Sequence, residues 1–223
     1  MKLTIVAATG GIGRHLLDQA LGSGHEVTAV VRNPAKLHRS VDNVAVDLTA
    51  PDQSALQRAV GGADAVLSAF GPHTGRGKDC GFTATGTEAL VEAMQATDVR
   101  RIVVVSAAPV STTPSPGRPF PPRHDPGEGP VMRFLGTPFA RRLLGRHFAD
   151  LAVMEDLLRE SGLDWTVVRP PQLTDRPATG TYRVAVGQNL KGGGRVPRAD
   201  VAHLMLRAVT DPATVKQALG IAA

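Results

Sequence analysis

The sequence predicts an α/β protein built around one doubly wound parallel sheet. Two observations carry that prediction. Short β-branched apolar runs alternate with segments whose apolar residues recur every three to four positions, and such alternation lays helices over both faces of a parallel sheet. The first apolar run also ends in a glycine cluster, VAATGGIGRHLL at 6–17, and restarts at helical spacing. Right-handed crossovers then fix much of the topology as Rossmann-type.

Residues 3–8 form the first strand, a short apolar, partly β-branched run as expected of burial on both faces. Ile12, Leu16, Ala20 and Leu21 mark the helix that follows. Residues 26–31 (EVTAVV) are the second strand and 43–47 the third. A short helix covers 52–60, and 64–70 (DAVLSAF) is the fourth strand. The helix over 82–96 gathers Ala84, Leu90, Val91 and Met94 on one face. Residues 101–106 (RIVVVS) are the fifth strand. The helix over 149–161 has Leu151, Met154, Leu157 and Leu158 as its apolar stripe. Residues 164–169 (DWTVVR) are the sixth strand, with Trp165 in the core. VAHLMLRAV is a last helix, and Asp200 reads as its cap.

One segment breaks this rhythm. Residues 107–138 are rich in proline, glycine and arginine, and they follow the fifth strand on the edge where such sheets bind ligands. A long loop in that place reads as a substrate loop or lid over 107–145, the alternative being a loose spacer. No internal repeat or second boundary is visible, so 1–223 reads as a single domain.

Composition narrows the function. At 223 residues and 42% hydrophobic content the chain can bury a sizeable core. No stretch approaches the roughly 18 continuous apolar residues of a membrane span. MKLTIVAA opens directly as a strand, without a charged lead and cleavage site, so a cytoplasmic protein without a membrane partner is expected. A lone cysteine, Cys80, excludes a disulfide framework and a Cys-based zinc site. The net charge is +5, with loose groups at Arg118/Arg123 and Arg141/Arg142/Arg146, while aromatics are only 4%. Stacking platforms are therefore lacking, and no nucleic-acid partner is expected. The positive balance favours anions, phosphorylated cofactors included.

The glycine loop follows a strand and opens a helix inside a βαβ unit, the context of a dinucleotide fingerprint. Thr9, Gly10, Gly11, Ile12 and Gly13 would cradle a pyrophosphate on the helix N-terminus. An NAD site normally places an acid at the end of the second strand. Here the chain reads VRNPAK. Arg32 can fork onto a 2′-phosphate and Lys36 can add charge, which favours NADP(H).

AATGGIG resembles the GATGxxG loop of the atypical short-chain dehydrogenases, in their NmrA-like and NAD(P)H-binding group. VTAVVRNPAKL, VDLTAPDQSAL, RIVVVSAA, LLRESGLDWTVVRPPQLTDRPATGTYRV and RADVAHLMLRAV extend the resemblance over nearly the whole chain. Within that group it is most similar to the flavin reductase/biliverdin reductase B branch. The resemblance implies that Asp47 and Leu48 flank the adenine. It implies that Ala69, Phe70 and Gly71 pass by the cofactor, and that Ser106 and the turn of Pro170, Pro171 and Gln172 lie beside the nicotinamide. One departure is Ala7, where the family loop starts with glycine.

Most short-chain dehydrogenases use a Tyr-x-x-x-Lys pair to deliver the proton. The same resemblance puts His147 at the tyrosine position, Leu151 at the lysine position and Gln172 where the flavin reductases carry histidine. Tyr182, the only tyrosine, lies far downstream. Candidates for the catalytic end are thus Ser106, His147 and Gln172, with His73 as a further histidine. The alternative readings are a strand-end hydroxyl bonded to backbone for Ser106 and a surface residue for His147. Without the usual acid, hydride donation suits a planar acceptor that stabilises the incoming electrons, and suits a simple ketone poorly. The sequence therefore reads as an NADPH-dependent reductase of small aromatic, quinonoid or flavin-like molecules, monomeric or homodimeric. The alternatives are an NADP(H)-binding redox sensor of NmrA type and a redox-neutral enzyme that retains the nucleotide.

Overall fold

A computed structural model describes residues 1–71, 81–130 and 132–223. His73 and Cys80 lie outside the described residues. The chain runs through β1 (Lys2–Val6), α1 (Gly11–Gly22), β2 (Glu26–Val31), β3 (Asp42–Ala45), α2 (Gln53–Val60) and β4 (Ala65–Ser68). It continues with α3 (Phe82–Ala96), β5 (Arg101–Val105), α4 (Thr137–Glu160), β6 (Asp164–Arg169) and β7 (Gln172–Thr174). β8 (Arg183–Val186), β9 (Arg195–Pro197), α5 (Arg198–Thr210) and β10 (Gln217–Ala222) complete it.

The main sheet has the order β3-β2-β1-β4-β5-β6-β10-β8. Its pairs are parallel except β10 with β8. This is a Rossmann-type sheet, and its order reverses between β1 and β4. Period-two alternation divides the core. Val6, Val66, Ile102, Val104 and Val167 face the layer of α2, α3 and α4. Leu3, Ile5, Leu67, Val103, Val105 and Val168 face the layer of α1 and α5. Trp165 is buried, as its strand position requires. Among the described residues no helix is long and apolar enough to cross a membrane.

Besides the additional strands β7–β10, two features depart from the sequence reading. The helix expected over 149–161 starts at Thr137, behind a π turn at Met132–Gly136, so the last part of the 107–145 segment is helical. Pro138 sits in the first helical turn, where its missing N–H costs nothing. Asp200 is not the cap of its own helix. It is buried, and its carboxylate accepts from the Thr179 amide (3.0 Å), the Thr179 hydroxyl (2.6 Å) and the Gly180 amide (3.2 Å).

The Pro/Gly/Arg-rich segment is fastened down. The Gly117 amide donates to Asp156 Oδ2 (2.8 Å), and buried Asp125 accepts from the amides of Gly127 and Asn189 at 2.9 Å each. Gly127 is glycine for a packing reason, since a Cβ there would lie 1.7 Å from the Asn189 carbonyl oxygen. The Thr137 hydroxyl closes the segment onto Glu128 at 2.7 Å.

The turn out of β1 stores strain at the family departure. Ala7 has φ 59°, the left-handed region that glycine occupies freely. Left-handed backbone costs an alanine about 1–2 kcal/mol, partly offset by the greater unfolded-state freedom of glycine. Ala7→Gly is expected to raise the melting temperature by about 1–3 °C. A fall of that size in differential scanning fluorimetry would refute the strain.

Candidate functional site

The candidate site lies at the C-terminal edge of the sheet, where the strand order reverses between β1 and β4, the place at which such sheets bind ligands. α1 begins there with Gly10 as its N-cap, with no side-chain cap bond and no acid in its first turn. Its first amides are left for an external acceptor, and the helix dipole favours an anion. Gly13 lets the helix close onto β1, because a Cβ there would sit 2.1 Å from the Ala7 carbonyl oxygen. Thr9 and Gly10 are half-buried, Gly11 is exposed, and Ile12 is in the core.

A cation that the sequence did not single out stands at this loop. A Cβ at Gly11 would meet Arg198 Cδ and Nε at 2.7 Å. Arg198 Nη1 pairs with Asp175 at 2.6 Å. Nothing local to RADVAHL announces that placement; the crossover through β7 and β9 produces it.

Arg32 is exposed at the end of β2, and Lys36 is exposed in the 3-10 turn Pro34–Lys36. Asn33 caps that turn by accepting from the Ala35 amide at 3.1 Å. Asp47 follows β3 in a tight turn. The Thr49 amide (3.0 Å) and hydroxyl (2.8 Å) both donate to it and, with the Arg32 charge, hold its carboxyl below the ordinary aspartate range against slight desolvation. Leu48 is buried, and with Phe70 it presses on Gly86 of α3. The Ala69 amide donates to the Val6 carbonyl (3.1 Å), which carries the β1–β4 ladder to that edge, and Gly71 is half-buried beyond it.

The other end of the site is built on β5, β6 and α4. The Ser106 amide donates to the Val168 carbonyl at 2.7 Å, and its hydroxyl donates to Glu155 Oε1 at 2.9 Å. That hydroxyl is therefore bonded to a carboxylate and not to backbone. Glu155 is buried and also receives Arg169 Nε (2.8 Å), Arg169 Nη2 and Arg159 Nη2 (2.6 Å). Pro170 is buried next to it, and its carbonyl accepts from the Ala108 amide at 2.9 Å. Ser106 and Pro170 thus come together.

Gln172 points elsewhere. It is exposed on β7, where Arg195 Nε donates to its Oε1 at 3.2 Å. Pro171 is half-buried between them. His147 is half-buried on α4, edge-on to Phe148 with ring centres 6.0 Å apart. Burial pushes its pKa down, and the opposing pull of Asp150 does not restore it. Asp150 itself caps α3 across the domain, accepting from the amides of Thr83 (3.0 Å) and Ala84 (3.1 Å). Leu151 is buried in the core. Glu155 and Asp150 escaped the sequence reading because acids on a helix pattern as solvent-facing, and only their tertiary partners reveal them.

The chain belongs to the NAD(P)H-binding family, whose profile matches residues 7–212. The uncharacterized protein YwnB of Bacillus subtilis is 28% identical over 223 residues, covering 95% of this chain and 93% of its own. SP1627 of Streptococcus pneumoniae TIGR4, a putative NADH-flavin reductase, superposes with a TM-score of 0.74 at 24% identity, over 100% of this chain and 99% of that one. ChuY of Escherichia coli O157:H7, an anaerobillin reductase, gives 0.76 at 22% identity, over 100% and 97%. At such identities the likeness of the two structures is one of fold.

Glu155 has a pH signature. Burial pushes its carboxyl up, but the Arg169 bonds, the Arg169 and Arg159 charges and the Ser106 hydroxyl outweigh it and hold the pKa below the ordinary glutamate range. A group lowered in the folded state stabilises above its unfolded pKa, and that contribution is lost as pH falls through the folded value. Glu155→Gln leaves Arg169 buried without its counter-charge, so it should cost about 3–5 kcal/mol near neutral pH. The deficit against the parent should shrink below ~pH 4, as the parent's own carboxylate protonates. Urea melts of both proteins at neutral and acid pH measure it, and a pH-independent deficit would place the cost outside the ion pair.

Proposed function

We propose that this protein is an NADPH-dependent reductase that passes hydride to a small planar acceptor, quinonoid or flavin-like. The observation that carries the reading is that, among the described residues, none of the candidate proton donors is free to act as a ready acid. The Ser106 hydroxyl donates its hydrogen bond to Glu155. Burial lowers the His147 pKa, so its ring is neutral near pH 7 and a weak acid. Leu151, at the family's lysine position, is buried among apolar side chains. Tyr182 is bonded to His203 of α5, 2.7 Å from its Nδ1. A ketone needs its alkoxide protonated as it forms, whereas a quinone or flavin spreads the added charge.

The glycine loop fits a dinucleotide because α1 leaves its first turn uncapped. Thr9, Gly10, Gly11, Ile12 and Gly13 would hold the pyrophosphate there, with Arg198 alongside. Arg32 and Lys36 would take the 2′-phosphate. Asp47 and Leu48 would flank the adenine, and Ala69, Phe70 and Gly71 would line the path onward. Ser106, Pro170 and Pro171 would border the nicotinamide, whose reduced ring supplies the hydride. Glu155 fixes the Ser106 hydroxyl, so that this oxygen is left as an acceptor for a donor group of the cofactor. In this reading 1–223 is one dinucleotide-binding domain, with 107–145 over the substrate.

NADPH should bind more tightly than NADH, and Arg32→Ala should erode the preference by roughly 1–3 kcal/mol, the range of a charge-assisted hydrogen bond. Titration calorimetry with both nucleotides tests this, and equal affinities in the parent would refute it.

Steady NADPH oxidation is expected with electron-poor quinones or flavins and not with simple aliphatic ketones. His147→Ala should leave the rate nearly unchanged. A loss of about 10²–10⁴-fold, with an ionisation removed from the pH–rate profile, would make His147 the acid after all. Tight NADPH binding without turnover on any acceptor would favour the sensor alternative.

A further inference from the structure

The first half of α4 and the π turn before it present an apolar face to water. Phe134 and Leu135 are each 69% exposed, Phe139 66% and Leu143 65%. This face is not the one the helix buries. Thr137, Phe148 and Leu151 are buried and Ala140 packs against the core, while Phe139 and Leu143, four residues apart, point outward. Contiguous apolar surface of this kind on a folded domain marks an interaction site.

Charge decides what covers it. Arg142 and Arg146 are exposed on the same outward side, each three residues beyond Phe139 and Leu143 respectively. Arg133 precedes them in the π turn. From residue 129 to 149 the sequence contains no acid. A second copy of the chain would bring the same arginines to the contact, and like charges facing one another in an interface are unfavourable. An anionic partner with an apolar interior satisfies both features. Aromatic and leucine side chains enter the boundary of headgroups and acyl chains, while the guanidiniums pair with lipid phosphates.

We propose that the outer face of α4, through Phe134, Leu135, Phe139, Leu143, Arg142 and Arg146, docks the protein on an anionic membrane surface. The docking is peripheral and needs no spanning helix. It revises the expectation, drawn from the lack of an apolar span, that no membrane is a partner. It does not depend on the reductase reading.

The test is co-sedimentation of the full chain with vesicles of phosphatidylcholine alone and of phosphatidylcholine containing about a third phosphatidylglycerol. Binding is expected only to the anionic vesicles, and raised salt should weaken it. The double variant Phe139→Ser with Leu143→Ser and the double variant Arg142→Glu with Arg146→Glu should each lower the bound fraction at least tenfold. Both change exposed side chains, and an unchanged melting temperature confirms that the fold is kept. Absence of binding by the folded parent would overturn the proposal. So would binding that survives the serine variant, which would reduce the effect to charge alone. Sedimentation equilibrium supplies a separate check. A dimer that the serine variant dissolves, together with no vesicle binding by the parent, would assign the face to a second copy instead.

Discussion

The β5–β6 end of this molecule depends on one buried carboxylate. Glu155 takes a forked pair of bonds from Arg169 at the end of β6, a hydroxyl from Ser106 at the end of β5 and a second cation, Arg159, from its own helix. Removing those charges from water is expensive, and a buried ion pair recovers the cost only when its remaining lone pairs are used. Here they are. What the pair provides is a specific joint between α4 and the ends of β5 and β6. The neighbouring acids extend the same logic. Asp156 catches the Gly117 amide and Asp150 caps α3. One helix thereby sets the Pro/Gly/Arg-rich segment and the entry of α3 relative to the sheet.

The opposite edge of the sheet is closed by a cation with a different kind of partner. Arg101 is half-buried and donates to the carbonyls of Asp164 (2.6 Å), Val209 (3.2 Å) and Ala208, and to the hydroxyls of Thr166 (2.8 Å) and Thr214 (3.0 Å). Burial pushes its pKa down, against the pull of the Asp164 and Asp211 charges. It remains a cation, because an ordinary guanidinium is protonated far above neutral pH. Two of its acceptors are the last carbonyls of α5, where the helix dipole welcomes positive charge. The far edge is thus pinned largely by backbone carbonyls that nearly any sequence supplies, while the β5–β6 end is pinned by specific side chains.

That difference explains how much could be read from the sequence. β1, β2, β4, β5 and β6 were legible because each is an apolar run buried along most of its length, whereas β3 is exposed at three of its four positions and has only its place in the alternation to announce it. The glycine loop and Arg32 were legible because their meaning is local: a turn, a helix start, a strand end. β10 was not, since QALGIA carries little β-branched character and becomes a strand only through its pairing with β6 and β8. The start of α4 was hidden by Pro138 and Gly145, which read as breakers, and by apolar residues on the wrong face for a core helix. Asp200 illustrates the same limit at a single residue. A local rule made it a cap for its own helix, and the fold gave its carboxylate to the backbone of a distant loop at Thr179 and Gly180.

The chemistry and the packing at α4 constrain one another. The helix position to which the family resemblance assigns a lysine holds Leu151, in the same apolar cluster as Phe148, Met154 and Leu158. Restoring a lysine there would bury an ammonium among hydrocarbon, and such a group loses its proton or destabilises the fold. The site cannot regain the usual proton relay by one substitution, because the position has been absorbed into the core. Ser106 is likewise no longer free to pass a proton, since its hydroxyl is one of the bonds that make Glu155 affordable below the sheet edge. In the proposed reading, a chain arranged this way would hold a nucleotide at the sheet edge and leave protonation to the acceptor or to water. The acceptors that would suit it are those whose reduced form is already stable as an anion.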